Sequence, residues 1–273
     1  MSHVIAVANQ KGGVGKTTTV VNLAAVLASL KKTVLVIDLD PQANATSGLG
    51  VEPKSGVSLY PALLNTDKVD DVIVGTAIEN VNIIPAEVNL AGAEIEIARM
   101  QDHLHGVQHV LDPVIAANIF DFILIDCPPS LGILMSNALA AAESVLIPMQ
   151  CEYYAMEGLS VISGLVERMR TSGANPKLQV DGVLMTMYSH TRLSDDVVEQ
   201  VRSHYGETVY NAIIPRSVRA SEAPSFGLPV VAYAPSSPVA EAYFAFGKEF
   251  LARTKLRDSI AKSVDLPATS ESA

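Results

Sequence analysis

The segment from Asn9 to Thr18, NQKGGVGKTT, contains the residue types that bind a chain of phosphate groups. Glycines stand at three of its positions, Gly12, Gly13 and Gly15. Glycine lets the backbone curl so that its N–H groups, and the N-terminus of a following helix, face anionic oxygens. Lys16 then brings a positive charge to the β- and γ-phosphates, and the Thr17 hydroxyl ligates Mg²⁺. The spacing predicts a site for nucleotide phosphates and Mg²⁺.

The loop departs from the usual phosphate-loop pattern, GxxxxGK[ST], at its first position, where this chain has Gln10 instead of glycine. A second lysine, Lys11, precedes the glycines in the variant KGGVGKTT. A glycine-rich turn with incidental lysines is the alternative interpretation. A strand-like run before the loop and a helical pattern after it favour the phosphate loop, because that context aims the loop N–H groups at a ligand.

Aspartates close two of the apolar runs that predict strands. Asp126 ends the run FILID, where a phosphate-loop fold places the carboxylate that holds Mg²⁺ through its hydration shell. An aspartate that merely caps the next loop is the alternative. Asp38 and Asp40 close the run VLVID, which in this topology lies beside the first strand and ends near the γ-phosphate. We therefore expect all three carboxylates near the phosphates.

Short β-branched runs must position these residues, and helical patterns separate them. The runs are Val4–Ala8, Val34–Asp38, Val81–Pro85, Phe122–Asp126, Val145–Pro148 and Val180–Thr186. Near-continuous apolar strands are typical of a parallel sheet that is covered on both faces. Lys16 to Leu30 has apolar residues at the 3.6-residue period of a helix packed on such a sheet. The alternation predicts a doubly wound α/β fold, mostly parallel, with helices on both faces.

Composition limits the domain count and the class of partner. The 273 residues are 49% apolar and 18% charged, which excludes chain-wide disorder and allows a large core. No Gly/Ser- or Pro-rich linker divides the chain, so we expect one domain over residues 1–264 and a frayed polar tail over residues 265–273. A formal net charge of −10 disfavours a free-standing basic nucleic-acid module but leaves local basic patches open.

Cys127 and Cys151 lack the spacing of a disulfide framework or a metal site, so we expect buried thiols in a reducing cytosol. The N-terminal residues do not have the pattern of a signal peptide. Polar residues interrupt the longest apolar stretch, residues 131–149, which a membrane-spanning helix of about 20 residues would not tolerate. These features predict a soluble cytoplasmic protein.

The variant loop resembles the deviant Walker A motif of the ParA/MinD family of P-loop ATPases. Further segments, in the same order along the chain, resemble the ParA/Soj chromosome-partitioning branch of that family. They are DLDPQANATSGLG, LIDCPPSLG, PMQCEYYAMEGLS and IPRSVRASEAPSFGLPV. The similarity extends over nearly the whole chain and implies an ATPase that uses Mg²⁺ to hydrolyse ATP to ADP and phosphate.

The resemblance also assigns roles within the ATP site. It implies that Asp40 orients the attacking water and that Asp38 supports the Mg²⁺ shell, to which Thr17 and Asp126 contribute. It implies that Lys11 crosses a two-fold interface to the ATP of a second subunit, so that ATP joins a homodimer. The implied catalytic residues are Lys11, Lys16 and Asp40. The implied nucleotide contacts are Lys11, Gly12, Gly13, Val14, Gly15, Lys16, Thr17 and Thr18, with Pro215 and Ser217 on the adenine side.

Proteins of the ParA branch bind nonspecific DNA as ATP dimers and are triggered by a ParB-type centromere-binding partner. The resemblance therefore implies a local basic surface and a nucleoid-associated location. The candidate DNA contacts are Arg192, Arg216, Arg219, Lys248 and Lys255. The family often has an arginine where this chain aligns His190, and Arg192 is the nearest substitute. A solvated basic face is the alternative for each of these residues.

Other functions of the superfamily stay open. A cargo-positioning or membrane-cycling relative that uses the same switch is one alternative. The membrane-cycling, MinD-like role would need a C-terminal amphipathic helix, whereas this sequence ends in DLPATSESA, so we expect no stable membrane association. A metal-cluster reductase would need cysteines that bridge a dimer, and Cys127 instead belongs to the loop after the Mg²⁺ strand. A DNA-partitioning ATPase is the preferred prediction.

Overall fold

A twisted sheet of eight strands organises the chain, and a computed structural model describes residues 2–64 and 68–264. The strands are β1 (His3–Val7), β2 (Val34–Asp38), β3 (Val74–Gly75), β4 (Val81–Ile84), β5 (Phe122–Asp126), β6 (Ser144–Gln150), β7 (Gln179–Tyr188) and β8 (Val209–Pro215). Their order across the sheet is β3-β4-β2-β5-β1-β6-β7-β8. The β3–β4 pair is antiparallel, and the other six pairs are parallel. The mostly parallel sheet is confirmed.

Helices cover both faces of the sheet. They are α1 (Lys16–Ser29), α2 (Asn44–Gly48), α3 (Leu59–Leu63), α4 (Leu90–Ile97), α5 (Gly106–Ala117), α6 (Ile133–Ala141), α7 (Ala155–Thr171), α8 (Arg192–Tyr205), α9 (Val218–Glu222), α10 (Val230–Tyr233) and α11 (Pro238–Val264). Helices α1, α10 and α11 contribute to one buried cluster, and α3 to α8 contribute to the other. The doubly wound fold is confirmed. The predicted tail, residues 265–273, lies outside the described residues.

The six predicted strands are all present, with bounds that differ by at most two residues at either end, and β3 and β8 were not predicted. Strand β3 has two residues, too few for any periodicity. Strand β8, VYNAIIP, lies at the edge of the sheet and carries the exposed Asn211 at its centre. An edge strand is half solvated, so its sequence lacks the continuous apolar run that identifies the central strands.

The parallel strands all end at one side of the sheet, which we call the carboxyl edge. The successive strands β5 and β6 lie on opposite sides of β1, so the strand order reverses direction across the sheet at β1. Ligands of open α/β sheets bind in the crevice that such a reversal creates. The register places Val7 beside Asp126, and Asp126 beside Asp38. The prediction that the run ending at Asp38 lies beside the first strand is wrong, because β5 pairs in parallel with both β1 and β2 and separates them. All three strands still end at the carboxyl edge, so the topology brings the phosphate loop and both strand-end aspartates together.

The last helix packs at the opposite side of the sheet, where the parallel strands begin, which we call the amino edge. Asp181 near the start of β7 is buried, accepts a hydrogen bond from the Tyr210 hydroxyl and forms an ion pair with Arg257 of α11. Arg253 of α11 lies over the Tyr210 ring, 4.1 Å from its centroid. The Glu249 carboxylate accepts the backbone N–H groups of residues 211 and 212 at 2.9 and 3.0 Å. These contacts hold α11 against the edge strand β8.

Candidate active site

The loop between β1 and α1 has the backbone shape that the sequence predicts. Gly13 and Gly15 have φ values of 75° and 87°, in the left-handed region that favours glycine. Gly15 precedes α1 directly and no side chain caps the helix, so its first N–H groups stay available to a ligand. A Cβ built on Gly12 or Gly13 meets no atom within 4 Å, so the loop borders open space. This is the concave donor surface that phosphate binding requires.

Three side-chain hydrogen bonds between the loop and the neighbouring strands β6 and β7 hold the loop in that shape. The bonds run from Asn9 Nδ2 to the Pro148 oxygen (2.8 Å), from Gln150 Nε2 to the Gly13 oxygen (3.0 Å) and from Thr186 Oγ1 to the Val14 oxygen (2.8 Å). Each of these bonds occupies a loop or strand carbonyl, and the Lys11 N–H donates to Asn9 Oδ1 at 3.0 Å. The loop is therefore preorganised, which lowers the entropic cost of ligand binding.

Lys16, the first residue of α1, is 7% exposed, and its Nζ donates to the Lys11 carbonyl oxygen at 3.2 Å. Burial lowers the pKa of this ammonium, and the nearby Asp126 partly opposes that shift. A phosphate group beside Lys16 would favour the charged form and reverse the effect of burial. The lysine is thus placed to gain from an anionic ligand.

The strand-end carboxylate of Asp126 is fully buried and incompletely bonded. Its Oδ2 accepts the Thr17 hydroxyl at 2.7 Å, while its Oδ1 has no hydrogen-bond partner among the described residues. Burial, and then the charge of Asp38, raise the pKa of Asp126 well above its ordinary value. A cation would relieve both the missing bond and the repulsion. These two residues therefore fit Mg²⁺, which prefers oxygen ligands and retains several waters.

Within the described parts of the chain, no group of three or more His, Cys, Asp or Glu side chains could enclose a metal ion. An all-protein metal cage is therefore absent from the described residues.

Asp38 lies beside Asp126, but its oxygens accept hydrogen bonds from the loop that follows β2. Its Oδ2 accepts the Thr46 N–H and the Thr46 hydroxyl, both at 2.8 Å, and its Oδ1 accepts the Asp40 N–H at 3.2 Å. Burial raises the pKa of Asp38 to about 6. In this arrangement Asp38 shapes the loop that carries Asp40. Its support of a Mg²⁺ shell stays a prediction.

The predicted catalytic residues Asp40 and Lys11 lie at the mouth of the site. Asp40 lines the cavity above the loop, and its Oδ1 accepts the Gln42 N–H at 3.0 Å. Lys11 is half-exposed and its Nζ pairs with Glu152 Oε2 at 2.7 Å. Neither predicted role is tested by these contacts. The ion pair between Lys11 and Glu152 was not predicted from the sequence.

A cavity of about 510 Å³ adjoins the phosphate loop. The predicted site residues that line it are Gly12, Gly13, Gly15, Lys16, Thr17, Thr18 and Asp40. Its apolar end is formed by Met187, Ala223, Pro224, Leu228 and Val230. Pro215 and Ser217, the predicted adenine contacts, do not line it; Pro215 ends β8 and Ser217 precedes α9. Within residues 214–230, the cavity is lined by Ala220 and by four residues between 223 and 230, and an adenine contact from this segment stays a prediction.

Met187 and Asn22 are cavity residues that sequence reasoning missed. Met187 follows the central part of β7 with a left-handed φ of 52° and accepts a bond from Gln150 Nε2. Asn22 lies one turn beyond the phosphate loop, donates to the Thr18 oxygen and accepts the Val231 N–H at 3.1 Å. A buried polar residue at position 22 of an otherwise apolar helix face is the one signal that could have identified it.

The predicted DNA contacts come from two places. Arg192 begins α8, while Arg216 and Arg219 follow β8, so these three exposed arginines stand near the carboxyl edge. Arg219 pairs with Glu222 at 2.9 Å. Lys248 and Lys255 are exposed on α11 and are held in no ion pair that the structure describes. The geometry leaves all five side chains accessible.

Both cysteines are buried, and burial raises the pKa of Cys151 to about 11 and that of Cys127 above its ordinary value. Buried thiols with a raised pKa are unreactive. As for membranes, none of the helices in the described ranges has the length and apolar character of a bilayer span.

The chain is similar to a known domain family and to proteins named for chromosome partitioning and sporulation. Residues 2–180 match the AAA domain family. The chain is 48% identical over 255 residues to the sporulation initiation inhibitor protein Soj of Bacillus subtilis, covering 92% of this chain and 99% of that one. It is 44% identical over 255 residues to the chromosome partitioning protein ParA of Myxococcus xanthus, covering 93% and 89%.

A solved structure named cobyrinic acid a,c-diamide synthase from Mycobacterium smegmatis, with a bound ATP analogue and magnesium, is also similar. Its TM-score is 0.81 at 35% identity, and the alignment covers 93% of this chain and 96% of that one. The resemblance seen in the sequence motifs is thereby confirmed over most of the chain. The chain belongs to the ParA/MinD family of P-loop ATPases within the AAA domain family, and it is similar to the ParA/Soj branch.

Proposed function

We propose that the chain is a Mg²⁺-dependent ATPase that partitions DNA, alternating between an ATP-bound dimer on DNA and a released monomer. The observation that carries the proposal is the conjunction of Lys16, Thr17 and the incompletely bonded Asp126 beneath an open glycine loop. Relatives named for chromosome partitioning at 44% identity support the same function.

Hydrolysis in this site depends on positioning and charge neutralisation rather than on covalent chemistry. The loop N–H groups and Lys16 bind the phosphates, and Thr17 with Asp126 holds the metal. When bound, Mg²⁺ would neutralise charge on the β- and γ-phosphate oxygens. Asp40, held by the Asp38 loop at the cavity mouth, accepts a hydrogen bond from the attacking water and orients it. The apolar end of the cavity, with Met187 and Leu228, receives the base.

The second step is dimerisation through the same edge of the sheet. Lys11 has a half-exposed side chain, and its own-chain partner, Glu152, is equally accessible, so their ion pair is weak in water. An ATP bound in a second copy presents several negative charges and outcompetes Glu152 for the lysine. ATP thereby joins two copies face to face, and its hydrolysis removes the bridging charge.

DNA binding follows from dimerisation. A monomer with a net charge of −10 is repelled by DNA at long range, whereas two copies of the basic residues near the carboxyl edge and on α11 double the local positive surface. A ParB-type partner that stimulates hydrolysis would then release the protein. In this cycle the protein is cytoplasmic and nucleoid-associated, and its ligands are ATP, Mg²⁺, DNA and a second copy.

The test is co-sedimentation with DNA of arbitrary sequence, with ATP, ADP or no nucleotide, and with a candidate ParB-type protein. Wild-type protein should bind with ATP alone and leave when the partner is added. Asp40→Ala should bind with ATP and stay bound, and Lys11→Ala should bind ATP but remain monomeric and off DNA. Lys54→Ala, which removes an exposed lysine outside the site, is the charge-matched control. Equal DNA binding without nucleotide would contradict the proposal.

A further inference from the structure

The loop after β2 is anchored to Asp38 and continues into a short helix. Thr46 is fully buried and gives both its N–H and its hydroxyl to Asp38, and its hydroxyl oxygen accepts the Ala86 N–H at 3.0 Å. Helix α2 then leads to Gly50, whose N–H bonds to the Ser47 oxygen at 3.0 Å. Hydrogen bonds therefore connect the Asp40 loop to Gly50 through Asp38, Thr46 and α2.

Gly50 touches Gly227 backbone to backbone, from a distant part of the chain. A Cβ built on Gly227 would lie 2.7 Å from Gly50 Cα, and one built on Gly50 would lie 3.0 Å from the Gly227 oxygen. Both glycines also have left-handed φ values, 75° and 64°. Any other residue at either position would bring a Cβ too close to the facing backbone and would strain its own left-handed backbone. Both positions therefore require glycine.

Gly227 in turn belongs to the segment that carries the basic residues. It ends a 3-10 helix, Ala223–Phe226, that follows α9 without a break, and its N–H bonds to the Pro224 oxygen at 3.0 Å. Arg216 and Arg219 lie at the other end of this segment. Residues between them and Gly227, such as Ala223, line the nucleotide cavity. The segment thus joins the cavity wall to exposed arginines.

We propose that the Gly50–Gly227 contact links the Asp40 loop to the arginine segment, so that nucleotide binding and DNA binding are coupled through a pair of glycines. The inference rests on the function proposed above and adds its route of regulation. A close backbone contact transmits displacement because it has no side chain that could rotate away. Linkage then makes the coupling reciprocal: DNA must change nucleotide affinity by the factor by which nucleotide changes DNA affinity.

The test compares Gly227→Ala and Gly50→Ala with Gly173→Ala. Gly173 also follows a helix with a left-handed φ, 81°, but a Cβ there meets nothing within 4 Å, so this control has the backbone strain without the contact. The readout is the ratio of DNA affinity with a non-hydrolysable ATP analogue to that without nucleotide. We expect a ratio of at least about tenfold for wild type and Gly173→Ala, and about twofold or less for the other two variants.

A ratio near one in wild type would contradict the proposed function itself, whereas a wild-type ratio in folded Gly227→Ala would overturn only the glycine link.

A second measurement needs no variant and serves if the alanine substitutions prevent folding. Wild type saturated with the ATP analogue is compared with and without DNA by hydrogen exchange. Slower exchange of the amides of residues 44–50, which lie across the Gly50–Gly227 contact from the arginine segment, supports the link, and unchanged exchange there refutes it.

Discussion

Asp126 at the carboxyl edge and Asp181 at the amino edge are both buried strand carboxylates, but their partners differ. Asp181 meets the hydroxyl of Tyr210 and the guanidinium of Arg257. Asp126 meets a threonine hydroxyl on one oxygen and no hydrogen-bond donor in the described chain on the other. Each carboxylate thus accepts one hydroxyl hydrogen bond and has a second oxygen without a hydrogen bond among the described residues, but Asp181 has a cation, Arg257, at that second oxygen and Asp126 does not.

The difference follows from the cost of burying charge. An ionised carboxylate removed from water is destabilising unless partners replace its hydration, as Arg257 and Tyr210 do for Asp181. Asp126 lacks such partners and has a neighbouring carboxylate, Asp38, so its burial is unfavourable until a cation arrives. The difference between the two carboxylates is therefore the cation: Asp181 has one from its own chain, whereas Asp126 is placed to receive one with a ligand.

Asp126→Asn gives the largest expected effect on activity. Removing the charge that holds the metal should lower ATP hydrolysis by about 100-fold or more. It should leave the free energy of unfolding without Mg²⁺ unchanged or raise it by about 1 kcal/mol, because a poorly partnered buried charge is lost. A coupled-enzyme ATPase assay and urea unfolding measure the two effects. A large loss of stability in this variant would erase the distinction between the two edges.

Asp181→Asn should show the opposite pattern. It leaves the guanidinium of Arg257 without its carboxylate and should lower the free energy of unfolding by about 2 kcal/mol. Hydrolysis per folded molecule should stay within about twofold of wild type, because nothing at the carboxyl edge changes. The same two assays apply, below the melting transition. Loss of activity without loss of stability would show that the amino edge also serves the site.

The smallest expected effect is a pH dependence at the amino edge. His3 lies between Glu143 and Asp258, at 3.2 and 3.3 Å, and these carboxylates raise its pKa above 6.5. The protonated form is favoured in the folded state, so its stabilisation is fully present below pH 6.5 and is lost as pH rises through the folded pKa. We expect His3→Gln to cost about 0.5 kcal/mol at about pH 6 and nearly nothing at about pH 8.

Urea unfolding at both pH values measures this difference. His204→Gln is the control, because His204 is exposed on α8 and contacts no carboxylate in the part of the chain that the structure describes. Its stability difference from wild type should be the same at both pH values. A pH-independent loss in His3→Gln would mean that the ring contributes by stacking on Phe122 rather than by charge.

Much of the fold could be read from the sequence because the central strands are covered on both faces. Such strands are continuous apolar runs, and the run that ends at Asp126 was predicted with its observed bounds. The edge strand β8 could not be read in this way, since one side of it is solvated and Glu249 of a distant helix bonds its backbone. Edge strands depend on contacts that leave no local pattern.

The sequence by itself determined the phosphate loop, because loop curvature, the lysine charge and the helix start are all encoded within ten neighbouring residues. It also determined which aspartates end at the carboxyl edge, since each closes an apolar run of a parallel sheet. Only the tertiary structure decided that β5 lies between β2 and β1, that Asp126 meets one hydroxyl while Asp181 meets a hydroxyl and a guanidinium, that Lys11 pairs with Glu152, and that Gly50 meets Gly227. Each of these joins residues far apart in the chain, and packing alone brings them within bonding distance.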